Sequence, residues 1–580
     1  MRQGILVLFG IILGLVFILS CRPTAAPTPT PVPTPTPVAL ATPTPAPAPA
    51  PAGPTPMPMP IVQATPTPTP IPAGPPPTPT PAPRRGGTLR FIPHASMASI
   101  DPMWTTATVT VKDFANFVYE GLFALDATFT PQPALVESWN VSPDGLTWTF
   151  VLRPGLTFHN GDPLRPLDVV ESLKRWANQD AWGREMWENF ERVDTPDDRT
   201  VVMRLKQPTS VLLNQLSVPS GFRSVIVHER IWRVPVRQGA REAIGTGSFR
   251  FVSWTPGNQY VLERWAGYKS RTEPPSGLAG ARPTYVDRIE ALEVPDHATR
   301  FAAIHTGLVH FLDEFLADLA PQVERNPALR LHVVGPGPKL VAQLNHSRPP
   351  FNDLRARQAL QLAYPVDRAM RAAIGDPRFW RLCPSAYACG TMWEEVGREG
   401  SAGRYNVQDI SKARELVRTA GLEGTTVRII SAQDNPIVAN PSLVTKEVLE
   451  QLGFKVDLQV MDWAGVQTRR TNPELWELHH TSFVTWHFVH PLVNPTHARM
   501  GWFNRYADDT GKVTRAREAI LRALTLQDQL AASKDLARAI WEDVPYIILG
   551  EQAGLRASRQ EVQNFKPTIF LTFWDVWLAQ

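Results

Sequence analysis

A proline tract near the amino terminus excludes regular secondary structure from the first part of the chain. Residues 23–83 contain no Asp, Glu, Lys or Arg, and 26 of the 59 prolines lie between Cys21 and Arg84. Because proline fixes φ and lacks an amide donor, this tract cannot form a helix or a sheet ladder. It is expected to be extended polyproline II, with a contour of about 190 Å at roughly 3.1 Å per residue. We therefore predict a disordered stalk or spacer over residues 21–84.

The residues before the tract are typical of an export signal. The chain begins with Met1-Arg2, continues with an apolar run up to Leu19, and reaches Cys21 in the sequence I-L-S-C, which resembles a bacterial lipobox. This pattern predicts a signal peptide over residues 1–20 and a lipid on Cys21; the alternative is an uncleaved membrane anchor. Either way, the rest of the chain is expected outside the cytoplasm, tethered in the periplasm or at the outer face of the cell membrane. A second apolar run of spanning length is absent from the sequence, so the chain is not itself a permease.

Charge and motifs argue against two broad classes of function. The net charge is only +4 and the sequence has no clustered basic stripe, which argues against a nucleic-acid partner. The motifs G-x-S-x-G and H-E-x-x-H and a paired-carboxylate motif are absent, so neither an enzyme nor a cofactor is predicted. Cys383 and Cys389 stand six apart in C-P-S-A-Y-A-C. They are expected to form a disulfide in an oxidising compartment, since a two-cysteine metal site lacks nearby partners.

The stretch 133–176 predicts two strands followed by a helix. Trp148, Phe150 and Leu152 alternate with the residues between them, at the period of two of a half-buried strand. Turn residues bound the strands, and Asp168 is expected to cap the helix that follows.

This ordered stretch closely resembles the signature of the extracytoplasmic solute-binding proteins of ABC transporters, family 5, which capture peptides, nickel and similar solutes. Gly245 to Phe251, Asn345 to Met370 and Val562 to Phe565 resemble further segments of that family, in the same order. The resemblance implies an α/β protein with a two-lobe, periplasmic-binding-protein-like fold of type II. It also implies a hinge and an additional subdomain inserted into the first lobe.

The order of these segments gives the expected domain bounds. Lobe I is expected over 85–130, 232–342 and 551–580, the inserted subdomain over 131–231, and lobe II over 343–550. Within lobe II, residues 425–431 and 454–461 are typical of strands and 443–452 of a helix. Such a βαβ unit requires a parallel strand pair.

The resemblance places the ligand between the lobes, and its best candidate contact is Trp486, followed by His487, in T-S-F-V-T-W-H-F-V-H-P. The family often has an aspartate just after this tryptophan for a peptide's amino group, whereas this chain has none there. Because burying an unpaired ammonium costs several kcal/mol, this absence argues against a peptide ligand unless Asp434 or another acid substitutes. The alternative for Trp486 is core packing.

Four more residues are candidate ligand contacts. Arg223, next to Phe222, either pairs a ligand carboxylate from the inserted-subdomain side of the cleft or is a solvated surface arginine. Trp104 would add an aromatic wall. Asn345 lies at an expected crossover, and its alternative role is to satisfy backbone groups.

Histidines gather between His479 and His497. Neutral imidazole binds nickel or zinc, and a helical i, i+3 spacing would put His487 and His490 on one face. No helix-forming pattern supports that spacing, and Pro491 follows at once. Surface or hydrogen-bonding histidines are therefore expected, with metal binding as the alternative.

These features together predict an extracytoplasmic receptor of an ABC importer. It would capture a small solute by bending, as a monomer, and deliver it to permease subunits without catalysis. A di- or oligopeptide is the first choice of solute. The alternatives are a nickel or other metal chelate, an oligosaccharide, and a sensory ligand receptor without a transport role.

Overall fold

The computed structural model describes residues 82–104, 109–219, 222–485, 489–494, 508 and 510–579. Cys21, the proline tract up to Pro81, Trp486, His487 and His497 lie outside the described residues. Within the described part of the chain, none of the helices combines the length and the apolar composition that a membrane crossing requires.

A seven-stranded mixed sheet forms the first lobe. In sheet order its strands are Phe249–Thr255, Gln259–Arg264, Arg288–Leu292, Thr88–Ile92, Phe311–Leu312, Gly554–Arg559 and Leu329–Val334. The central strand, Thr88–Ile92, pairs in parallel with both of its neighbours. Leu89 and Phe91 enter one apolar core and Ile92 enters another, so this sheet is buried on both faces.

A six-stranded sheet forms the second lobe. In sheet order its strands are Trp380–Leu382, Tyr546–Gln552, Lys339–Leu344, Leu478–Phe483, Thr426–Ala432 and Lys455–Met461. The last two are parallel and are joined by helix Pro436–Gln451, which confirms the βαβ unit. The helix begins seven residues before the predicted start at 443 and passes through Pro441.

A four-stranded antiparallel sheet forms the centre of the inserted subdomain. Its strands, in order, are Val136–Val141, Thr147–Leu152, Thr200–Leu205 and Phe190–Asp194. Trp148, Phe150 and Leu152 are buried, which confirms the alternation read from the sequence. Asp168 does not cap the next helix, because the helix begins at Pro166. Asp168 is its third residue and accepts a hydrogen bond from the Arg165 amide at 3.0 Å, as in a capping box.

Helices and short strand pairs complete the described fold. The remaining strands are Glu120–Gly121, Phe123–Leu125, Pro131–Pro133, Val225–Ile226, Val562–Gln563 and Trp577–Leu578. The other α-helices are Val109–Val118, Pro166–Ala177, Ala181–Glu188, Leu212–Gln215, Glu229–Trp232, His297–Thr306, Ala320–Arg325, Leu354–Ala363, Val366–Ile374, Glu394–Gly397, Ile410–Thr419, Trp463–Arg469, Lys512–Arg522 and Leu526–Asp543.

The chain crosses between the two large sheets at residues 335–338 and again at Ala553. Strand Lys339–Leu344 bonds entirely within the second sheet, and strand Tyr546–Gln552 does too. Backbone pairing therefore moves the start of lobe II from the expected 343 to 339, and its end from 550 to 552.

The inserted subdomain also touches the second lobe away from these crossovers. The His490 ring packs against Trp182 and against Trp393, with ring centroids 6.0 and 5.2 Å apart. Thr209 Oγ1 donates a hydrogen bond to the Leu521 carbonyl at 3.0 Å. One apolar core therefore continues from the inserted subdomain into the second lobe.

Candidate functional site

A cavity of about 390 Å³ lies where the two large sheets meet. Both lobes contribute to its lining, together with crossover residues 336–338 and the residues on either side of Ala553. Its volume falls at the lower end of the range typical of small-molecule sites, roughly 300–1,000 Å³. We call this cavity the cleft.

The first-lobe wall of the cleft holds an arginine fixed by two protein acceptors. Asp313 follows strand Phe311–Leu312, and the antiparallel register with the neighbouring strand places it opposite Arg556. Arg556 Nε donates to Asp313 Oδ1 at 2.7 Å, and Nη1 donates to the Thr568 carbonyl at 2.6 Å. Both charged side chains are buried. Each therefore compensates a charge that would be costly alone.

Glu314 lies on the same wall, one residue after Asp313. Its carboxylate contacts the His94 imidazole, and both side chains are more than one-third exposed. The His94 amide donates to Asp313 Oδ2 at 3.3 Å. The two neighbouring acids thus have different surroundings, Asp313 enclosed and Glu314 open.

Helix Val109–Val118 adds two more polar groups to this wall. Asp113 and Asn116 are one turn apart and both line the cleft. Asn116 Oδ1 accepts a hydrogen bond from Arg223 Nη1 at 2.7 Å. Burial lowers the pKa of Arg223 to about 9, with repulsion from Arg282 in the same direction and attraction to Asp113 against it.

The second-lobe wall is formed at the carboxyl ends of the parallel strand pair. Asn435 precedes helix Pro436–Gln451, and Trp463 opens helix Trp463–Arg469; both line the cleft. Asp434 Oδ1 accepts a hydrogen bond from the Trp463 amide at 2.8 Å and so ties the two loops together. Loops at the carboxyl ends of parallel strands are the usual ligand-binding position in open α/β sheets.

The two crossovers meet at the floor of the cleft. The Gln552 amide donates to the Pro338 carbonyl at 3.0 Å. A Cβ added at Gly337 would lie 1.5 Å from the Gln552 carbonyl oxygen. Only glycine allows the two segments to approach this closely.

The structure brings some of the predicted contacts near the cleft. Trp486 and His487 lie outside the described residues, although Thr485, immediately before them, lines the cleft. Asp434 is exposed and adjoins the wall residue Asn435. Arg223 is buried behind Asn116, so it is not the solvated surface arginine of the alternative interpretation.

None of the five predicted contacts that the structure describes is itself in the lining of the cleft. Asp434 and Arg223 adjoin lining residues, whereas Trp104, Phe222 and Asn345 make their contacts elsewhere. Trp104 Nε1 donates to the Arg237 carbonyl at 3.3 Å. Phe222 packs against the apolar core that contains the inserted subdomain. Asn345 is fully buried, and its Nδ2 donates to the Pro473 and Trp476 carbonyls at 2.7 and 2.8 Å. Asn345 thus satisfies backbone groups, which was its alternative role.

Three histidines of the group between 479 and 497 are described, His479, His480 and His490; all three are buried, and each contacts partners of its own. His480 lies between the hydroxyls of Ser442 and Tyr364, at 2.9 and 3.1 Å. His479 packs on Trp476. Burial lowers the pKa of His479, His480 and His490 to about 3 each, which keeps these imidazoles neutral.

Among the described residues, the one group of three ligating side chains close enough for a metal is Cys383, Cys389 and Glu551. The two cysteines are joined in a disulfide, so their sulfurs are not thiolate ligands. Lys339 Nζ donates to the Tyr387 carbonyl at 2.8 Å, and Glu551 Oε1 accepts from the Cys389 amide at 2.8 Å. The disulfide loop is thereby fixed to both second-sheet strands that adjoin the crossovers.

Sequence reasoning did not single out Arg556, Asp313, Glu314 or Trp463. The one local signal is Arg556 itself, a charged residue between apolar neighbours in a strand. Such a residue must find a buried partner. Nothing local identifies that partner, which lies 243 positions away in the sequence.

Comparisons with known proteins agree with this architecture. Residues 130–490 match the family model of bacterial extracellular solute-binding proteins, family 5 Middle. A probable peptide ABC transporter periplasmic-binding protein of Sinorhizobium fredii is 29% identical over 497 residues, which cover 83% of this chain and 92% of that protein. A glutathione-binding protein of Pectobacterium atrosepticum is 25% identical, over 84% of this chain and 93% of that protein.

Solved structures share the fold at lower identity. The periplasmic binding protein AgaA of A. tumefaciens R10, in complex with agropinic acid, superposes with a TM-score of 0.72 and 21% identity, over 85% of this chain and 99% of that one. DppA of Helicobacter pylori, in complex with the peptide STSA, gives 0.71 and 21%, over 86% and 99%. The family match covers more than half of the chain: this protein belongs to the bacterial extracellular solute-binding proteins of family 5.

Proposed function

We propose that the protein is the solute receptor of an ABC importer and that its cleft captures a small peptide. The observation that carries the proposal is the cavity of about 390 Å³ between two lobes that the chain joins at two adjacent crossovers. Relatives named for peptide and glutathione binding support this ligand class. No chemical step is part of the proposal, since the receptor acts by binding and release.

Hinge bending at the crossovers is the proposed mechanism of capture. Both crossovers are short segments, residues 335–338 and Ala553, and they lie side by side. Small backbone rotations at two adjacent segments let two rigid sheets close on a ligand, as in other hinged binding proteins. Closure would remove the ligand from water and present a closed form to the permease subunits.

The amino-terminal segment supports a proposal about location. We propose that Cys21 carries a lipid and that the proline tract separates the folded part from the membrane. Changing Cys21 to Ser is expected to release the protein into the fraction that does not pellet with membranes. Persistent membrane association would instead support an uncleaved anchor.

The ligand class is tested with purified protein that lacks residues 1–84, all of which precede the first strand. Thermal shifts are measured against dipeptides, longer peptides and nickel chelates, and native mass spectrometry identifies any ligand that co-purifies. We expect dipeptides to raise the melting temperature. A response to nickel chelates alone would overturn the peptide proposal but leave the receptor function in place.

A pair of tryptophan variants locates the binding site. Trp463 lines the cleft, whereas Trp139 lies on strand Val136–Val141 of the inserted subdomain with 41% of its surface exposed. Trp463→Ala is expected to weaken dipeptide binding roughly tenfold, the equivalent of about 1.4 kcal/mol, and Trp139→Ala to leave it unchanged. Equal affinities in both variants would place the ligand elsewhere.

A further inference from the structure

We propose, on the basis of the peptide-receptor function above, that Arg556 and Glu314 bind the two opposite charges of one small zwitterionic ligand. Arg556 would receive the carboxylate and Glu314 the ammonium. Both residues belong to the first-lobe wall of the cleft. The first lobe then selects the ligand by its charges, and the second lobe covers it.

Arg556 is preorganised as an anion receptor. Arg556 is about nine-tenths buried. Two of its three guanidinium nitrogens donate hydrogen bonds, one to the Asp313 carboxylate and one to the Thr568 carbonyl. The third, Nη2, has no hydrogen-bond partner in the part of the chain that the structure describes. A guanidinium fixed in this way loses little conformational freedom when a carboxylate arrives, and such charge-assisted bonds are roughly twice as strong as neutral ones.

Glu314 is the open acid of the wall. Asp313 is enclosed by Arg556 and the His94 amide. Asp113 is attracted to Arg223, and this attraction opposes the lowering of the Arg223 pKa by burial. Glu314, by contrast, contacts the His94 imidazole, and its side chain is 35% exposed. A ligand ammonium therefore finds in Glu314 the acid of this wall that no described arginine compensates.

The two proposed receptors line the same wall of the cleft. Asp313 bonds directly to Arg556. Glu314 follows Asp313 in the chain, and the Cα atoms of these two acids are about 3.8 Å apart. We expect a ligand that reaches both to carry its opposite charges on a short backbone, as a dipeptide does. The cleft volume of about 390 Å³ agrees with a ligand of that size.

The described second-lobe wall is uncharged, in contrast to the charged first-lobe wall. Its described lining residues carry no formal charge and include the aromatic Trp463 and the apolar Val438. Ser482 Oγ on this wall is buried without a hydrogen-bond partner in the described structure, and so is Gln552 Oε1 at the crossover. Neutral polar groups of this kind fit a peptide bond better than an ionic end of the ligand.

The test is calorimetric titration of the protein with dipeptides that have one charge removed. The probes are the dipeptide with the largest thermal shift, its carboxy-terminal amide and its N-acetyl derivative. For the wild-type protein, we expect each derivative to bind at least about tenfold more weakly than the parent dipeptide. This comparison needs no variant and does not depend on how a substitution folds.

Variants then assign each charge to its receptor. Arg556→Gln, which removes the positive charge, is expected to bind the parent less tightly and to lose most of the preference for the free acid over the amide. Glu314→Gln is expected to lose the preference for the free amine over the acetylated form. Arg559→Gln is the matched control, because Arg559 ends the same strand and pairs with Glu561; it should retain both preferences.

Two outcomes separate this inference from the proposed function. If the parent dipeptide binds in the cleft but the amide and the acetyl derivative bind equally well, the charge assignment is overturned and the peptide receptor stands. If the wild-type protein binds no dipeptide, the peptide proposal fails and the assignment fails with it. Preferences that persist in both Arg556→Gln and Glu314→Gln would show that other residues bind the charges.

Discussion

Burial decides the chemistry of individual polar residues in this protein. His480 offers both ring nitrogens to hydroxyl groups of Ser442, Tyr364 and Thr445, all within 3.1 Å. Burial and repulsion from His479 lower its pKa from the usual 6.5 to about 3. The residue is therefore a neutral hydrogen-bonding group of the core.

This pKa shift predicts a loss of stability in acid. Between pH 6.5 and about 3, the unfolded chain binds a proton at His480 that the folded chain excludes. The free energy of unfolding therefore falls as the pH falls through this window, by up to about 1.4 kcal/mol per pH unit for one histidine. We expect His480→Gln to reduce that slope by this amount, as measured by urea unfolding at several pH values in the window.

Tyr364→Phe serves as the control for this experiment. It removes a hydroxyl 3.1 Å from His480 Nε2 but leaves the titrating imidazole in place. Both substitutions are expected to lower stability at neutral pH by about 1–3 kcal/mol through a lost hydrogen bond. Only His480→Gln should reduce the slope, and an unchanged slope in that variant would contradict the assignment.

At the scale of elements, the contact between the two crossovers is the tightest constraint on the cleft floor. Gly337 lies against the Gln552 carbonyl, and no described atom outside its chain neighbours lies within 4 Å of a Cβ built at Gly335. These two glycines are two positions apart in the same crossover, but only Gly335 has room for a methyl side chain.

Gly337→Ala is expected to lower the free energy of unfolding by roughly 1–3 kcal/mol, as for other overpacked sites, and to weaken dipeptide binding. Gly335→Ala should change both quantities little. Denaturant unfolding and calorimetry measure the two effects. Similar losses in both variants would mean that glycine flexibility, not the close approach, matters at this crossover.

The disulfide loop is a second element with a measurable contribution. Cys383 and Cys389 close a loop with a sequence separation of 6, and Lys339 and Glu551 anchor that loop to the second sheet. Loop-closure entropy gives such a short loop about 2 kcal/mol of stabilisation. Replacing both cysteines by alanine is expected to lower stability by that amount, as measured by urea unfolding. A change larger than this would indicate that the anchoring contacts are lost as well.

At the scale of the whole molecule, the contact of the inserted subdomain with the second lobe couples the lobes far from the crossovers. His490 between Trp182 and Trp393 is the centre of that contact. In the proposed hinge bending the second lobe moves away from the inserted subdomain, so we expect this contact to stabilise the closed arrangement together with the ligand.

Trp182→Ala is expected to cost about 3–5 kcal/mol of stability, as for other buried tryptophans. It should also weaken ligand binding and raise the radius of gyration measured by X-ray scattering without ligand. Trp139→Ala, an exposed tryptophan of the same subdomain, is the control. Unchanged scattering and affinity in Trp182→Ala would show that this contact does not favour closure.

Local patterns in the sequence predict local structure well here. The alternation at Trp148, Phe150 and Leu152 identifies its strand, because one face of a strand repeats every two residues. The parallel pair of the βαβ unit follows from the helix between its two strands, because a helical crossover lets the second strand run in the same direction as the first. The cap at Asp168 is missed by three positions, because proline favours the first turn of a helix and moves its start to Pro166.

The sequence by itself determined that the proline tract cannot form a helix or a sheet ladder, and which family the chain resembles. Those properties depend on composition and on residues close together along the chain. Only the tertiary structure decided that Asn345 serves the backbone and that Arg556 meets Asp313 beside Glu314. The reason is physical: the register of strands that are distant in sequence sets which charges become neighbours, and no local pattern records that register.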